Sequence, residues 1–119
     1  MSTRLRFSPG RNIAMKVPPH QFDATVTFYR DVLGLEVLPE RDPNIGFAFG
    51  DKRLWIDSVP ALSQAEVWLE VVADDLDAAA AHLAAAGVMR CDAIEPLPPD
   101  FGGFWIMNPA GIVHLVAGA

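Results

Sequence analysis

The stretch that decides the fold is Thr27-Phe28-Tyr29-Arg30-Asp31-Val32-Leu33-Gly34-Leu35-Glu36-Val37. It predicts the end of a helix, a glycine that stops the helix and the start of a strand, because glycine accepts the left-handed conformation that follows a helix. A similar stretch, His82-Leu83-Ala84-Ala85-Ala86-Gly87-Val88-Met89, lies about half a chain later. Each stretch follows one strand-like run and precedes several short ones, so the chain reads as one strand–helix–strands unit written twice.

The first unit begins with an alternating run at 12–17, which predicts a strand that ends before the two prolines at 18–19. Asp23 is the expected N-cap of a helix that runs to about Leu33. One side of this helix is apolar and carries Phe22, Val26, Tyr29 and Leu33. Short strands are then predicted at 35–40, 45–49 and 53–57, with turn signals at 42–44 and 50–52.

The second unit repeats this order of elements. An alternating run at 66–73 predicts a strand, and Asp74 or Asp75 is the expected cap of an alanine-rich helix that ends at Gly87. Strands are predicted at 88–94, 101–107 and 112–117, with a proline-rich loop at 95–100. The order β-α-β-β-β, found twice, predicts an α+β fold with mixed sheets.

Alternation within the strands divides the predicted sheet residues into two faces. The face expected to pack under the helices carries Ile13, Met15, Leu54 and Ile56 in the first unit, and Val67, Leu69 and Val71 in the second. The opposite face carries Asn12, Lys16, Trp55, Asp57, Trp68, Glu70 and His114. Two tryptophans among several polar groups favour a lined cleft over a packed core.

Size and composition limit the classes of protein that the chain can represent. It has 119 residues, a formal net charge of −6 and one cysteine, Cys91. The acidic balance argues against a nucleic-acid partner, and no apolar run is long enough to predict a membrane span. The lone cysteine suits a reducing compartment, so we expect a cytoplasmic protein. Residues 1–10 are expected to form a flexible N-terminal arm before a single domain at 11–119.

Three stretches together resemble one known superfamily. They are 28–35, 72–87 and 101–111, the last of which contains the turn Asn108-Pro109-Ala110-Gly111. The sequence resembles the vicinal oxygen chelate superfamily, which includes glyoxalase I, bleomycin-resistance proteins and extradiol dioxygenases. The resemblance implies two βαβββ modules, at 11–58 and 65–118, that form a curved mixed sheet around a cleft. It also implies a homodimer.

Metal-dependent members of the superfamily hold their metal with residues on the first and last strand of each module. In this sequence the resemblance places those positions at Asn12, near Asp57, near Trp68 and at His114. Asparagine is a poor metal ligand and tryptophan is none, so the pattern is broken. A set of metal-binding side chains can still be drawn from His114, Asp57 and Glu70, or Glu66 in place of Glu70. We therefore expect no cofactor, with a divalent metal as the alternative.

These observations leave three hypotheses for function. The first is a metal-free protein that binds a hydrophobic, aromatic or cationic small molecule in a tryptophan-lined cleft. Its ligand-binding residues would be Asn12, Trp55, Asp57, Trp68, Glu70 and His114. The second is a metal-dependent lyase, isomerase or dioxygenase acting on a substrate with vicinal oxygens. The third is a standalone domain whose cleft is filled by its own side chains and whose role is protein interaction. On a structural interpretation, Lys16, Asp57 and Glu70 form a satisfied ion pair on the cleft wall and the tryptophans are core.

Overall fold

The structure of the protein, a computed structural model, describes residues 5–40 and 44–119. These residues divide into two compact units. The first unit is Arg11–Trp68, and the second is Leu69–Ala119 together with the residues that precede Arg11. The boundary therefore falls inside the predicted second module, which was expected to begin at residue 65.

The described residues form an α+β fold with a mixed sheet, as predicted. Their strands are β1 (Phe7–Pro9), β2 (Asn12–Val17), β3 (Ile45–Phe49), β4 (Lys52–Ser58), β5 (Glu66–Ala73), β6 (Met89–Arg90), β7 (Phe104–Met107) and β8 (Val113–Gly118). Their α-helices are α1 (Pro19–Thr27) and α2 (Leu76–Ala85). Neither helix is long and apolar enough to cross a membrane.

In the first unit, β2 is the strand around which the others are arranged. It pairs in parallel with β4 and antiparallel with the first three residues of β5, and β3 pairs antiparallel with β4. Helix α1 packs through Val26 on a core that includes Phe47, Leu54 and Ile56. Ile13 and Met15 also pack against this core, which confirms the helix-covered face predicted for the first unit. Val67 does not join it and is 39% exposed, contrary to the expectation that it would pack under a helix.

Helix α1 starts and ends differently from the prediction. It begins at Pro19 with Pro18 as its N-cap, so Asp23 lies inside the helix. Proline suits the first turn because the N–H groups there have no partner within the helix. After Thr27 the chain continues in a wider π-helical turn at Phe28–Val32. Leu33, which follows this turn, is 51% exposed and does not join the core, contrary to the prediction that it lies on the apolar side of the helix.

The connection between α1 and β3 contains less strand than predicted. Gly34 has the left-handed backbone, with φ of 68°, that was expected for the residue stopping the helix. The run predicted as a strand at 35–40 makes a single bridge, between Val37 and Phe47. Two backbone hydrogen bonds flank this bridge, from the Leu38 N–H to the Gly46 carbonyl at 2.8 Å and from the Ala48 N–H to the Glu36 carbonyl at 2.9 Å. In the predicted turn at 42–44, Asp42 and Pro43 lie outside the described residues.

In the second unit, the last five residues of β5 pair in parallel with β8. Strand β7 pairs antiparallel with β8, and β6 with β7. Helix α2 is capped by Asp75, whose Oδ1 accepts a hydrogen bond from the Ala78 N–H at 3.0 Å, as the sequence predicted. The helix packs through Ala79 on a core that contains Val116. Leu69, expected in this core, is 40% exposed, because the helix covers β5 nearer its carboxyl end.

Three other sequence predictions are corrected in the second unit. Residues 7–9, placed in a flexible arm, form β1, which pairs antiparallel with β5; residues 1–4 lie outside the described residues. The strand predicted at 88–94 is reduced to β6. Beyond it, Asp92 Oδ1 accepts a hydrogen bond from the Trp105 N–H at 3.0 Å, and the chain turns at 92–94. The strand predicted at 101–107 begins only at Phe104, since Gly102 has a positive φ of 79°.

Candidate functional site

In the first unit, Asn12 and Trp55 form one part of the predicted polar face. The indole Nε1–H of Trp55 donates to Asn12 Oδ1 at 2.9 Å. Gly46 pairs with Trp55 across β3 and β4, and a Cβ at Gly46 would come within 2.6 Å of the indole ring. The glycine therefore lets the ring lie directly against the neighbouring strand. A glycine inside a strand is a recognised sign of such close approach, so the sequence carries a signal for this contact.

Lys16 and Asp57 form a buried ion pair on the same face. They are direct partners in the parallel register of β2 and β4, and Lys16 Nζ lies 2.6 Å from Asp57 Oδ2. The two side chains are only 4% and 10% exposed. The other carboxylate oxygen, Asp57 Oδ1, is buried and accepts no hydrogen bond from any residue that the structure describes. The ion pair thus keeps one buried acceptor without a hydrogen bond from the described residues.

Trp68 joins this pair from the first part of β5. It lies opposite Ala14 in the antiparallel register with β2, and Lys16 Nζ sits 4.3 Å from the centre of its ring. The indole Nε1–H donates to Glu66 Oε1 at 2.9 Å. A cation over the face of a tryptophan ring is attracted by the ring's negative face. The ammonium of Lys16 therefore already makes the contact that was expected of a cationic ligand.

Four of the predicted ligand-binding residues consequently lie on one face of the first unit. They are Asn12, Trp55, Asp57 and Trp68. Lys16 contacts two of these residues at once, Asp57 and the Trp68 ring. The alternation of β2 and β4 was enough to predict that Lys16 and Asp57 share a face. Lys16 also covers the Trp68 ring. This contact depends on the pairing of β2 with β5, which the sequence alone does not specify.

In the second unit, Glu70 and His114 point to opposite faces of the sheet. Residues paired directly across two strands point to the same side, and the register pairs Leu69 with His114 and Glu70 with Leu115. His114 also pairs with Ile106, which belongs to the core under α2. The expectation that His114 shares a face with Glu70 is therefore wrong. A one-residue difference in register is enough to move a side chain to the other face.

Local contacts hold both of these residues. His114 Nδ1 lies 3.0 Å from the carbonyl oxygen of Ile112, so this hydrogen bond requires a ring proton on Nδ1. The Glu70 carbonyl accepts from the Gly10 N–H at 2.8 Å. The Glu70 side chain lies so close to Gly10 that an added Cβ would collide with its carboxylate. The sheet register sets the face of each residue, and these contacts further fix the positions of the two side chains.

The donor set His114, Asp57 and Glu70 does not fit a metal centre. Within the second unit His114 and Glu70 lie on opposite faces, so the two cannot point at one ion. In the first unit one oxygen of Asp57 is already paired with Lys16. Across residues 5–40 and 44–119, no three His, Cys, Asp or Glu side chains come together as a group that could hold a metal ion.

The only cysteine has a thiol that is held in its protonated form. Burial, and then the nearby carboxylate of Asp92, raise the pKa of Cys91 above its ordinary value. Burial would also raise the pKa of Asp92, but hydrogen bonds from the Trp105 N–H and from Arg90 outweigh it and lower that pKa. A thiol with a raised pKa is a weak nucleophile at neutral pH. Cys91 is therefore not a candidate for covalent catalysis.

Each unit also has an open surface cavity, and neither is lined by the predicted ligand-binding residues. In the first unit a cavity of about 460 Å³ lies beside α1 and is lined by Met15, His20, Gln21, Ala24, Thr25, Phe28 and Tyr29. In the second unit a cavity of about 450 Å³ is lined by Ala86, Gly87, Val88, Met89, Met107, Asn108, Pro109 and Gly111. Both volumes are within the range of small-molecule sites.

Comparison with known proteins shows the family. The profile of the glyoxalase-like domain family matches residues 13–111. The chain belongs to this family and to the vicinal oxygen chelate superfamily, as the sequence resemblance predicted. A search of curated proteins gave no significant match.

Several solved structures have the same fold. The Mn(II)-bound glyoxalase from Novosphingobium aromaticivorans is 25% identical, with a TM-score of 0.69 over 97% of this chain and 40% of that one. This chain thus spans well under half the length of that glyoxalase. A glyoxalase/bleomycin resistance protein/dioxygenase superfamily member from Vibrio splendidus 12B01 is 16% identical, with a TM-score of 0.61 over 98% and 100% of the two chains. Methylmalonyl-CoA epimerase from Streptomyces coelicolor is 18% identical, with a TM-score of 0.61 over 96% and 99%.

Proposed function

We propose that this chain is a small-molecule-binding protein of the glyoxalase/bleomycin-resistance type that works without a metal. The ligand would be hydrophobic, aromatic or cationic and would bind at the face of the first unit that carries Asn12, Trp55, Asp57 and Trp68. The observation that carries the proposal is the unsatisfied oxygen of Asp57 on a face with two tryptophans. Buried polar groups without a partner are rare in folded proteins, and a ligand donor is one way to satisfy them.

The proposal leaves out two of the residues that the sequence suggested. Glu70 and His114 belong to the second unit and lie on opposite faces of its sheet, so they are not a joint binding surface. The misfit of the donor set His114, Asp57 and Glu70 supports a metal-free role. We further propose that the protein is a cytoplasmic homodimer, which rests on the superfamily resemblance and the lone cysteine. Light scattering of the purified protein tests the dimer.

A metal-dependent lyase, isomerase or dioxygenase is the second candidate. The observation that favours it is the 25% identity to a glyoxalase that binds Mn(II). In this chain such a metal would need a donor set other than His114, Asp57 and Glu70.

One experiment separates the two candidates. The protein is purified without chelators, its metal content is measured, and the measurement is repeated after adding manganese, nickel, zinc or ferrous iron. The binding protein predicts no stoichiometric metal and a change in tryptophan fluorescence with small aromatic molecules. Near-stoichiometric metal would support the enzyme instead. His114→Ala is the control variant for the metal measurement. We expect it to leave the metal content and the fold unchanged.

A further inference from the structure

The unsatisfied oxygen of Asp57 allows the chemical class of the ligand to be narrowed. We propose that the ligand donates an uncharged hydrogen bond, from a hydroxyl or an amide N–H, to Asp57 Oδ1. This inference rests on the proposed function and makes it more specific. Oδ2 of the same carboxylate already accepts from Lys16 Nζ at 2.6 Å, while Oδ1 is buried with no donor among the described residues. A donor that reaches Oδ1 would complete the coordination of the carboxylate.

A charged ligand group, whether cationic or anionic, is disfavoured at this oxygen. The Lys16 ammonium is ion-paired with Asp57, and both side chains are at least nine-tenths buried. A ligand cation beside Asp57 would meet the Lys16 ammonium, and a ligand anion would meet the carboxylate. Burying an additional charge that has no partner of its own is unfavourable in either case. A neutral donor satisfies the acceptor and adds no charge.

The tryptophans provide the apolar part of the site. The Trp68 ring is 5% exposed, and one of its faces carries the Lys16 ammonium. Trp55 is half-buried, and it lies two residues before Asp57 on the same side of β4. Because Oδ1 is buried, a ligand reaches it only after a neighbouring side chain moves. Trp55, held at its Nε1 by Asn12 and resting on Gly46, is the side chain that we expect to move.

Three probes of one shape test the inference. Benzyl alcohol carries a neutral donor, toluene carries none, and benzylamine is a cation at neutral pH. Each is titrated into the unmodified protein while tryptophan fluorescence is followed. A hydrogen bond to a charged acceptor corresponds to about a tenfold gain in affinity or more. We therefore expect benzyl alcohol to bind about tenfold more tightly than toluene, and also more tightly than benzylamine.

A double variant removes the acceptor without leaving a buried charge. In Lys16→Met with Asp57→Leu, the pair is replaced by apolar side chains of similar size, an exchange that buried ion pairs often tolerate. We expect this variant to bind benzyl alcohol and toluene with equal affinity. If the variant fails to fold, the order of the three probes on the unmodified protein still decides the question.

The outcomes distinguish the inference from the function on which it rests. Equal affinity of the unmodified protein for toluene and benzyl alcohol would overturn the inference and indicate that water alone satisfies Oδ1. Tighter binding of benzylamine would overturn it in favour of a cationic ligand. In both cases binding itself, and so the proposed function, would survive. If none of the probes changed the fluorescence, the proposed function at this face would fail as well.

Discussion

Breaking the ion pair of Lys16 and Asp57 from one side should destabilise the protein strongly. In Lys16→Met the carboxylate of Asp57 stays buried, and it loses the only hydrogen bond found for it among the described residues. Removing one partner of a buried pair costs about 3–5 kcal/mol, because the other charge is left uncompensated. Such a loss is a large part of the roughly 5–15 kcal/mol that stabilises a typical domain. Methionine is chosen because its sulfur keeps a favourable contact with the Trp68 ring.

The assay is equilibrium unfolding in urea, followed by circular dichroism and by tryptophan fluorescence. The double variant Lys16→Met with Asp57→Leu should recover most of the lost free energy of unfolding, since no charge remains buried. Arg30 and Asp31 provide the matched control, because their ion pair has side chains that are 48% and 54% exposed. We expect Arg30→Met to leave the unfolding midpoint nearly unchanged, since exposed pairs contribute little.

Two results would refute this reasoning. If Lys16→Met were no less stable than the unmodified protein, Asp57 would not be buried in the way the structure describes. If the double variant were as unstable as the single one, the loss would come from packing around Lys16 rather than from an uncompensated charge.

Three further predictions concern other parts of the chain. Gly46→Ala would bring a methyl group within 2.6 Å of the Trp55 ring, so we expect a loss of about 1–3 kcal/mol and a shifted emission maximum; an unchanged spectrum would contradict the close contact. Asp75→Ala removes the N-cap of α2 and should cost about 1 kcal/mol, measured as a lower thermal midpoint. Labelling of Cys91 by a thiol reagent should be slow at neutral pH and accelerate only above the usual thiol range, because its pKa is raised. Asp92→Asn should speed the labelling modestly at a fixed pH, since it removes the smaller of the two causes; no change would assign the whole shift to burial.

Most predictions that rest on short-range rules agreed with the structure, although Asp23 lies inside α1 instead of capping it. The two helix-stopping glycines, Gly34 and Gly87, have φ values of 68° and 78°. Asp75 caps α2, and strands β2 and β5 have the expected limits. These features depend on residues only a few positions apart. Predictions failed where a local contact replaced the regular one, as at the π-helical turn after α1 and at Asp92, which ends β6.

The candidate site was predictable only in part, because it depends on which strands become neighbours. Alternation placed Lys16 and Asp57 on one face, and the parallel pairing of β2 with β4 then made them partners. The contact of Lys16 with the Trp68 ring needed the further pairing of β2 with β5. No pattern within either strand specifies that pairing.

The sequence by itself determined the superfamily, the repeated order of helix and main strands, and the sheet face on which the residues of β2 and β4 lie. Helix stops, caps and alternation are local, and the chain carries them wherever its strands are placed. Only the tertiary structure decided the face of His114, through the register of β5 and β8 that pairs it with Leu69. It alone also showed that Asp57 keeps one buried oxygen without a partner. The physical reason is that register and burial arise from contacts between distant segments, and a shift of one residue reverses every side chain of a strand.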